Sequence, residues 1–187
     1  MTISSVSDSS SFGTYLKEQV TYKLENFKTE ICSIFSGGSG DGKTVVDLAL
    51  TCLGDNENDG SADKYLDGGS SSATPWCGAF VNKIFQWAED MGFQPKNWVK
   101  DISNPLYCPS IQDTAQNSNA IVNTSSAKPG DIVLFDWDGD GVSDHTGIVA
   151  ENNGGTITTV EGNTSNQVGQ RTYSASDSRL TICSAIA

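Results

Sequence analysis

Residues 129–163, PGDIVLFDWDGDGVSDHTGIVAENNGGTITTVEGN, contain the pattern that decides the fold. DIVLFDWD at 131–138 and HTGIVAEN at 145–152 predict two β-strands, because both are largely apolar and carry β-branched residues. NNGG is a hairpin turn signal, and TITTVEGN at 156–163 predicts the strand that returns. RLTICSAIA at 179–187 predicts a final strand. The second half of the chain is therefore expected to form an antiparallel sheet.

The first half of the chain predicts helices. WCGAFVNKIFQWAEDMGF at 76–93 carries apolar residues at helical spacing, and Cys77 lies on the first turn. A shorter helix is expected over Lys43–Leu53, with Leu53 on its apolar side. Residues 93–128 are expected to be irregular, with at most one short helix. Helices followed by an antiparallel sheet, rather than alternating with strands, indicate the α+β class.

The N-terminal part differs in composition from the rest. Residues 1–12 are rich in serine, which predicts a disordered start, and they lack the basic and apolar regions of a Sec signal peptide. Residues 13–42 predict an amphipathic helix over 13–35 and a Gly/Ser linker, and residues 43–187 form the main domain. The 13–35 helix could pack on that domain, self-associate or bind a partner.

The charge excludes several classes of partner. The chain has 23 acidic and 11 basic residues, for a net charge of -12. Nucleic acids and anionic lipids need clustered Lys and Arg, so neither is an expected partner. No apolar run approaches the ~20 residues that span a bilayer, so no membrane insertion is expected.

Histidine and cysteine are few and scattered. The single His145 excludes a His-rich metal centre and is the only candidate for a His-dependent reaction. No CxxC pair occurs, which argues against a zinc ribbon or a thioredoxin-type site. Cys32, Cys52 and Cys183 are expected to be small buried residues. Two disulfides and one free thiol are the alternative, and the pairing of these three and Cys108 stays open.

Cys77 and His145 are the candidate reactive residues. A thiol at a helix N-terminus feels the positive end of the helix dipole, which favours the thiolate. The predicted hairpin places His145 opposite Glu161 or Gly162, and within reach of Asn163. A carboxylate or amide there would hold the imidazole in one orientation, as the third member of a nucleophile–base set does. The alternatives are a structural buried cysteine and a surface histidine.

Two segments together carry a resemblance to a known family. PWCGAFVNKIFQWAEDMGF at 75–93 and AKPGDIVLFDWDGDGVSDHTGIVAENNGGTITTVEGNTS at 127–165 resemble the CHAP family of cysteine, histidine-dependent amidohydrolases/peptidases. The resemblance runs from about Thr44 to the C-terminus. It implies a papain-like fold in which N-terminal helices pack on an antiparallel sheet.

The resemblance also implies roles for individual residues. Cys77 is the implied nucleophile, His145 the base, Glu161 the partner of the histidine, and Asn163 a polar group that completes the site. The related NlpC-type endopeptidases usually have a second histidine as the third residue, and none exists here. Trp76 either lines the cleft or belongs to the core.

The implied activity is acyl transfer on an amide of peptidoglycan, without a required cofactor. The bond would be the N-acetylmuramoyl-L-alanine amide or a peptide bond of the stem or cross-bridge. A phage or prophage lysin is expected, made in the cytoplasm and acting on the wall after release or delivery. The alternatives are a contact-delivered antibacterial amidase toxin, a catalytically silent wall-binding module, and a papain-like enzyme for a small amide such as a glutathione conjugate.

Two acidic segments follow the first part of the EF-hand calcium loop. The first is formed by Asp136, Asp138, Asp140 and Asp144. The second is formed by Asp55, Glu57, Asp59 and Asp63. Both lack the bidentate Glu of the twelfth position, so each is either a Ca²⁺ site or a solvated acidic turn. Some phage members of the resembled family carry calcium just ahead of the nucleophile, where the second segment lies.

The first acidic segment also lies close to His145 in the sequence. Six acidic residues between 131 and 151 have no Lys or Arg among them. This local charge is either a cation site or a field that raises the pKa of His145.

Overall fold

The computed structural model describes residues 42–187, so the predictions for residues 1–41, including the 13–35 helix and Cys32, lie outside the described residues. The helices are α1 (Lys43–Thr51), α2 (Cys77–Asp90), α3 (Asn97–Lys100) and α4 (Cys108–Asn117), with short 3-10 turns at Ser61–Tyr65 and Thr124–Ser126. The strands are β1 (Ile121–Val122), β2 (Ile132–Phe135), β3 (His145–Asn152), β4 (Thr156–Thr164), β5 (Gln167–Ser174) and β6 (Leu180–Cys183).

The strands form one six-stranded antiparallel sheet, in the order β1-β6-β2-β3-β4-β5. The predicted α+β class is confirmed, and each of the four predicted strands is present within a few residues of its expected bounds. Helix α2 packs against β3 and β4. No helix in residues 42–187 combines the length and the apolar character that a membrane crossing needs.

The expectation for residues 93–128 is wrong, because this region forms α3, α4, β1 and a 3-10 turn. Its apolar residues are few, but the helices each bury some of them: Trp98 is buried in α3, and Ile111 and Ala115 are buried in α4. Strand β5 was not predicted either. It is an edge strand with alternating exposed and covered positions and mostly polar residues, so it lacks the apolar run that marks a central strand.

Helix α1 ends two residues earlier than expected. It stops at Thr51, and Leu53 is 44% exposed rather than part of the buried side. The chain turns here because it leaves the helix to meet β5: the Gly54 amide, at φ +90°, donates to the Val168 carbonyl at 3.0 Å. The positive φ of Gly54 disfavours any other residue at this turn.

Asp131 is a structural residue of the C-terminal segment. Its side chain is fully buried, and Oδ1 accepts hydrogen bonds from the amides of Ala185 and Ile186 at 2.9 and 3.3 Å. The Trp98 indole donates to the Ser184 carbonyl at 2.8 Å. Asp131 therefore fixes the chain beyond β6 and is not part of an acidic surface around His145.

Gly162 sets the distance between α2 and the sheet, and Gly147 leaves room for the side chain of Glu161. A Cβ on Gly162 of β4 would lie 2.3 Å from the Phe80 Cβ, and one on Gly147 of β3 would lie 2.7 Å from the Glu161 Cγ. Both distances are far shorter than a van der Waals contact, so no side chain fits at either position. The start of α2 can lie directly on β4 because residue 162 is glycine, and the Glu161 side chain can lie over β3 because residue 147 is glycine.

We expect Gly162→Ala to lower the free energy of unfolding by about 1–3 kcal/mol or more, because the added methyl group overpacks the contact with Phe80. Urea denaturation of the purified chain measures this change. Gly155→Ala is the matched control, since nothing lies within 4 Å of its Cβ position. Equal stability of the two variants would contradict the proposed packing constraint.

Candidate active site

Cys77 is the first residue of α2 and is only 6% exposed. The preceding Trp76 is fully buried, and its ring stacks on Tyr65 at 5.6 Å between centroids. A side chain without exposed surface does not line a cleft, so of the two alternatives for Trp76 the structure favours the core. Gly78 follows, and a Cβ there would lie 2.1 Å from the Pro105 carbonyl oxygen. The segment before α4 therefore lies directly against the start of α2.

His145 is the first residue of β3, opposite Phe135 of β2. Its Nε2 lies 2.9 Å from Glu161 Oε2. The imidazole packs near the rings of Phe135 and Trp137, at centroid distances of 5.5 and 6.4 Å. These contacts hold the ring at the end of the strand, with one nitrogen bound to the carboxylate.

The predicted register of the β3–β4 hairpin is wrong. The Asn153 N–H donates a hydrogen bond to the Thr156 carbonyl at 3.3 Å. The turn is therefore centred further along the chain than expected. A bulge between Val149 and Glu151 shifts the register again. Continuing the Ile148–Val160 pairing places His145 opposite Asn163, and Glu161 diagonally from it. Glu161 still reaches the imidazole because Gly147, which it faces, has no side chain in the way.

Glu161 is a buried carboxylate, 1% exposed, with hydrogen bonds at both oxygens. Oε1 accepts from Thr159 Oγ1 at 2.6 Å and from the Tyr173 hydroxyl at 2.9 Å, while Oε2 faces His145. Sequence reasoning missed both donors. The strand periodicity could have indicated Thr159, which is two residues from Glu161 on the same face. Tyr173 lies on β5, which was not predicted.

Cys108 is a second thiol at the site that the sequence did not indicate. It is the first residue of α4 and 5% exposed, and its Sγ lies 3.7 Å from the Cys77 Sγ. Gln112 of the same helix donates to the Gly141 carbonyl at 2.9 Å and accepts from the Ser143 amide and hydroxyl, both at 2.8 Å. Helix α4 is thereby joined to the loop that leads into His145.

The electrostatics favour a thiolate–imidazolium pair. Hydrogen bonds from Cys108 and His145 lower the pKa of Cys77 to about 4, against the opposing effect of burial. Burial lowers the pKa of His145, but hydrogen bonds with Cys77 and Glu161 outweigh it and raise that pKa to about 9. Since Nε2 faces Glu161, Nδ1 is the ring nitrogen left for a partner on the other side of the imidazole. Cys77 and Glu161, rather than the acidic loop, account for the raised pKa of His145.

Asn163 does not join this chain of hydrogen bonds. It lies in the irregularity between Glu161 and Thr164, half-buried, with φ of 57°. Among residues 42–187, no hydrogen bond of its side chain is found. Its implied role in the site stays a prediction.

The two acidic segments differ in geometry. One oxygen each of Asp136, Asp138 and Asp144 lie within 4.8 Å of one another, without Asp140, and carboxylate oxygens suit a hard cation such as Ca²⁺. The loop is also closed by its own backbone: the Gly139 amide donates to Asp136 at 2.7 Å. Ca²⁺ binding there stays a prediction.

The second acidic segment is held together by protein donors. Asp55 pairs with Lys64 at 2.6 Å, Asp59 accepts from the Ser61 hydroxyl at 2.5 Å, and Asp63 accepts from the Ser71 hydroxyl at 2.7 Å. In the described part of the chain its carboxylates do not converge on a common point. The structure thus does not bring Asp55, Glu57, Asp59 and Asp63 together, and it favours the turn alternative.

A family model described as the CHAP domain matches residues 69–163, a stretch that contains Cys77, His145 and Glu161. The chain belongs to the CHAP domain family. This membership assigns the domain to the hydrolases of the cysteine amidase/peptidase type.

No curated protein matches the chain. Among solved structures, the chain is similar to the structure of NlpC1 from Trichomonas vaginalis, with 21% sequence identity and a TM-score of 0.44. The similarity covers 80% of this chain and 44% of that one, so the chain spans less than half the length of that protein.

We expect Ca²⁺ to raise the melting temperature and EDTA to lower it, because a cation that binds only the native state stabilises it. Thermal unfolding with and without Ca²⁺ measures the effect. Asp138→Asn should remove the response, since it neutralises one of the converging groups, whereas Asp59→Asn in the other acidic segment should keep it. A melting curve that does not respond to Ca²⁺ would refute the site.

Proposed function

We propose that this CHAP domain is a cell-wall hydrolase that cleaves an amide bond of peptidoglycan through a cysteine acyl-enzyme. The single observation that carries the proposal is the His145 imidazole, held by the buried Glu161 carboxylate at 2.9 Å, which together with Cys108 lowers the pKa of the Cys77 thiol. Nucleophile, base and orienting carboxylate are the three parts that acyl transfer requires. A catalytically silent module would not need a buried carboxylate held by three partners.

The first chemical step is attack on the amide carbonyl by the Cys77 thiolate. The backbone N–H of Cys77, on the first turn of α2, has no carbonyl partner within the helix and is available to the oxyanion. His145, as imidazolium, then gives its Nδ1 proton to the leaving amine. Glu161 keeps the ring in place during this transfer through its contact with Nε2.

The second step is hydrolysis of the thioester on Cys77. Neutral His145 takes a proton from water, which attacks the thioester carbonyl, and the thiolate leaves with its charge stabilised by the restored imidazolium. The side chains of this centre complete both steps, so the proposal includes no cofactor. The scissile bond is either the muramoyl–L-alanine amide or a peptide bond of the stem or cross-bridge.

A phage or prophage lysin that reaches the wall after release or delivery by another system is the setting we propose. A contact-delivered amidase toxin would need the same residues and differs only in its route to the substrate. An enzyme for a small amide such as a glutathione conjugate would use the same chemistry on a soluble substrate.

Digestion of purified sacculi tests the proposal. We expect the unmodified chain to release new amino groups, detected by mass spectrometry, and Cys77→Ala to release none, because the nucleophile is lost. New N-terminal L-alanine alone identifies an amidase, and other new amines identify an endopeptidase. Cys183→Ala, at a buried thiol in β6, is the control and should act as the unmodified chain does. Intact sacculi after treatment with the unmodified chain would overturn the proposal.

The pH dependence of kcat/KM should be bell-shaped, with an acid limb near pH 4 and an alkaline limb near pH 9. Below the first limb Cys77 is protonated and cannot attack, and above the second His145 has lost the proton that the leaving amine needs. Initial rates across pH measure both limbs.

Glu161→Gln provides the internal control for that profile. Its neutral amide no longer stabilises the imidazolium, so the alkaline limb should move to lower pH while the acid limb moves less. An alkaline limb that stays in place in this variant would show that Glu161 does not act on His145.

A further inference from the structure

Cys77 and Cys108 form a pair of thiols at the centre of the site. Their sulfur atoms lie 3.7 Å apart, whereas a disulfide bond is about 2.05 Å long, so the atoms must approach by roughly 1.7 Å. Each is the first residue of a helix. In the described part of the chain, Cys52 and Cys183 are buried free thiols.

The surroundings hold the two thiols beside each other. The Pro105 carbonyl lies against Gly78, where no side chain fits, and this contact fixes the segment that leads into Cys108. On the other side, Gln112 ties α4 to the loop before His145. Helix α4, which begins at Cys108, is thus held against α2, which carries the nucleophile, and against the loop that leads into the base.

We infer that Cys77 and Cys108 are a reversible oxidative modification site, which a low-molecular-weight disulfide converts to an internal disulfide. That this modification inactivates the enzyme rests on the proposed role of Cys77 as nucleophile. The formation of the disulfide bond between Cys77 and Cys108 does not rest on that role.

The first step is thiol–disulfide exchange at Cys77. Its thiolate attacks one sulfur of the reagent R–S–S–R, and a Cys77–S–S–R mixed disulfide forms while R–S⁻ leaves and takes a proton. Only the thiolate reacts in this way. Burial keeps the pKa values of Cys52 and Cys183 raised, so these thiols are poor competitors.

The second step depends on a change that the first step causes. The hydrogen bond to the Cys77 thiolate is the largest cause that raises the pKa of Cys108, ahead of burial, with a smaller effect from the charge of Asp144. Once Cys77 is in a mixed disulfide, that anionic partner is gone and Cys108 can lose its proton. Its sulfur then attacks the Cys77 sulfur, the internal disulfide forms, and the second R–S⁻ departs with the proton as R–SH. Two thiols are oxidised and one R–S–S–R is reduced to two R–SH.

Oxidised glutathione is the probe for this inference. We expect the unmodified chain to lose the mass of two hydrogens without keeping glutathione, and peptide mapping to find Cys77 linked to Cys108. Sacculus digestion should fall by about ten-fold or more, and dithiothreitol should restore it, because the exchange is reversible. Cys108→Ser should instead keep one glutathione on Cys77, since the second step is blocked, and Cys183→Ala should behave as the unmodified chain does.

A stable glutathione adduct on Cys77 of the unmodified chain, an unmodified mass, or a link from Cys77 to a different cysteine would each overturn the inference. The mass and the peptide map of the unmodified chain decide this even if Cys108→Ser fails to fold. They also separate it from the proposed function: a chain that forms the disulfide but never digests sacculi would refute the function alone.

Discussion

The buried carboxylate of Glu161 is the constraint on which the site depends. A charge with almost no exposure is tolerated in a protein interior only when hydrogen bonds replace the water it has lost. Thr159 and Tyr173 supply them on one oxygen, and His145 supplies the third on the other. The hydrogen bonds that stabilise the buried carboxylate therefore also hold the imidazole in place. Strand β5 belongs to the site because its Tyr173 supplies one of them, although the strand carries no reactive residue.

The active site also depends on close packing between α2 and the sheet. Gly162 admits the side chain of Phe80, and Gly147 admits that of Glu161. A nucleophile at the end of a helix and a base at the end of a strand can meet only if these two elements approach without intervening side chains. The glycines therefore act on the chemistry through distance, although they take no part in it.

The sequence predicted the reactive residues better than it predicted their surroundings. Apolar periodicity found α2 and the central strands, and the position of Cys77 on the first helical turn followed from it. The hairpin register failed because a bulge and a one-residue shift of the turn leave no trace in the hydrophobic pattern. Tyr173 and Cys108 were missed because they lie on a polar edge strand and a polar helix, which show little periodicity. Thr159 lies on the predicted strand β4, two residues from Glu161, and only its hydrogen bond to that carboxylate was missed.

The order of strands has a consequence for the synthesis of the chain. Strand β6 (Leu180–Cys183) lies between β1 and β2, and the Ser184–Ile186 segment that follows it is held by Trp98 and Asp131. During translation, β1 and β2 emerge from the ribosome well before the strand that joins them. Until then each keeps an unpaired edge, which is a known route to aggregation. The complete sheet on which the nucleophile and base are assembled can thus form only after β6 has been translated.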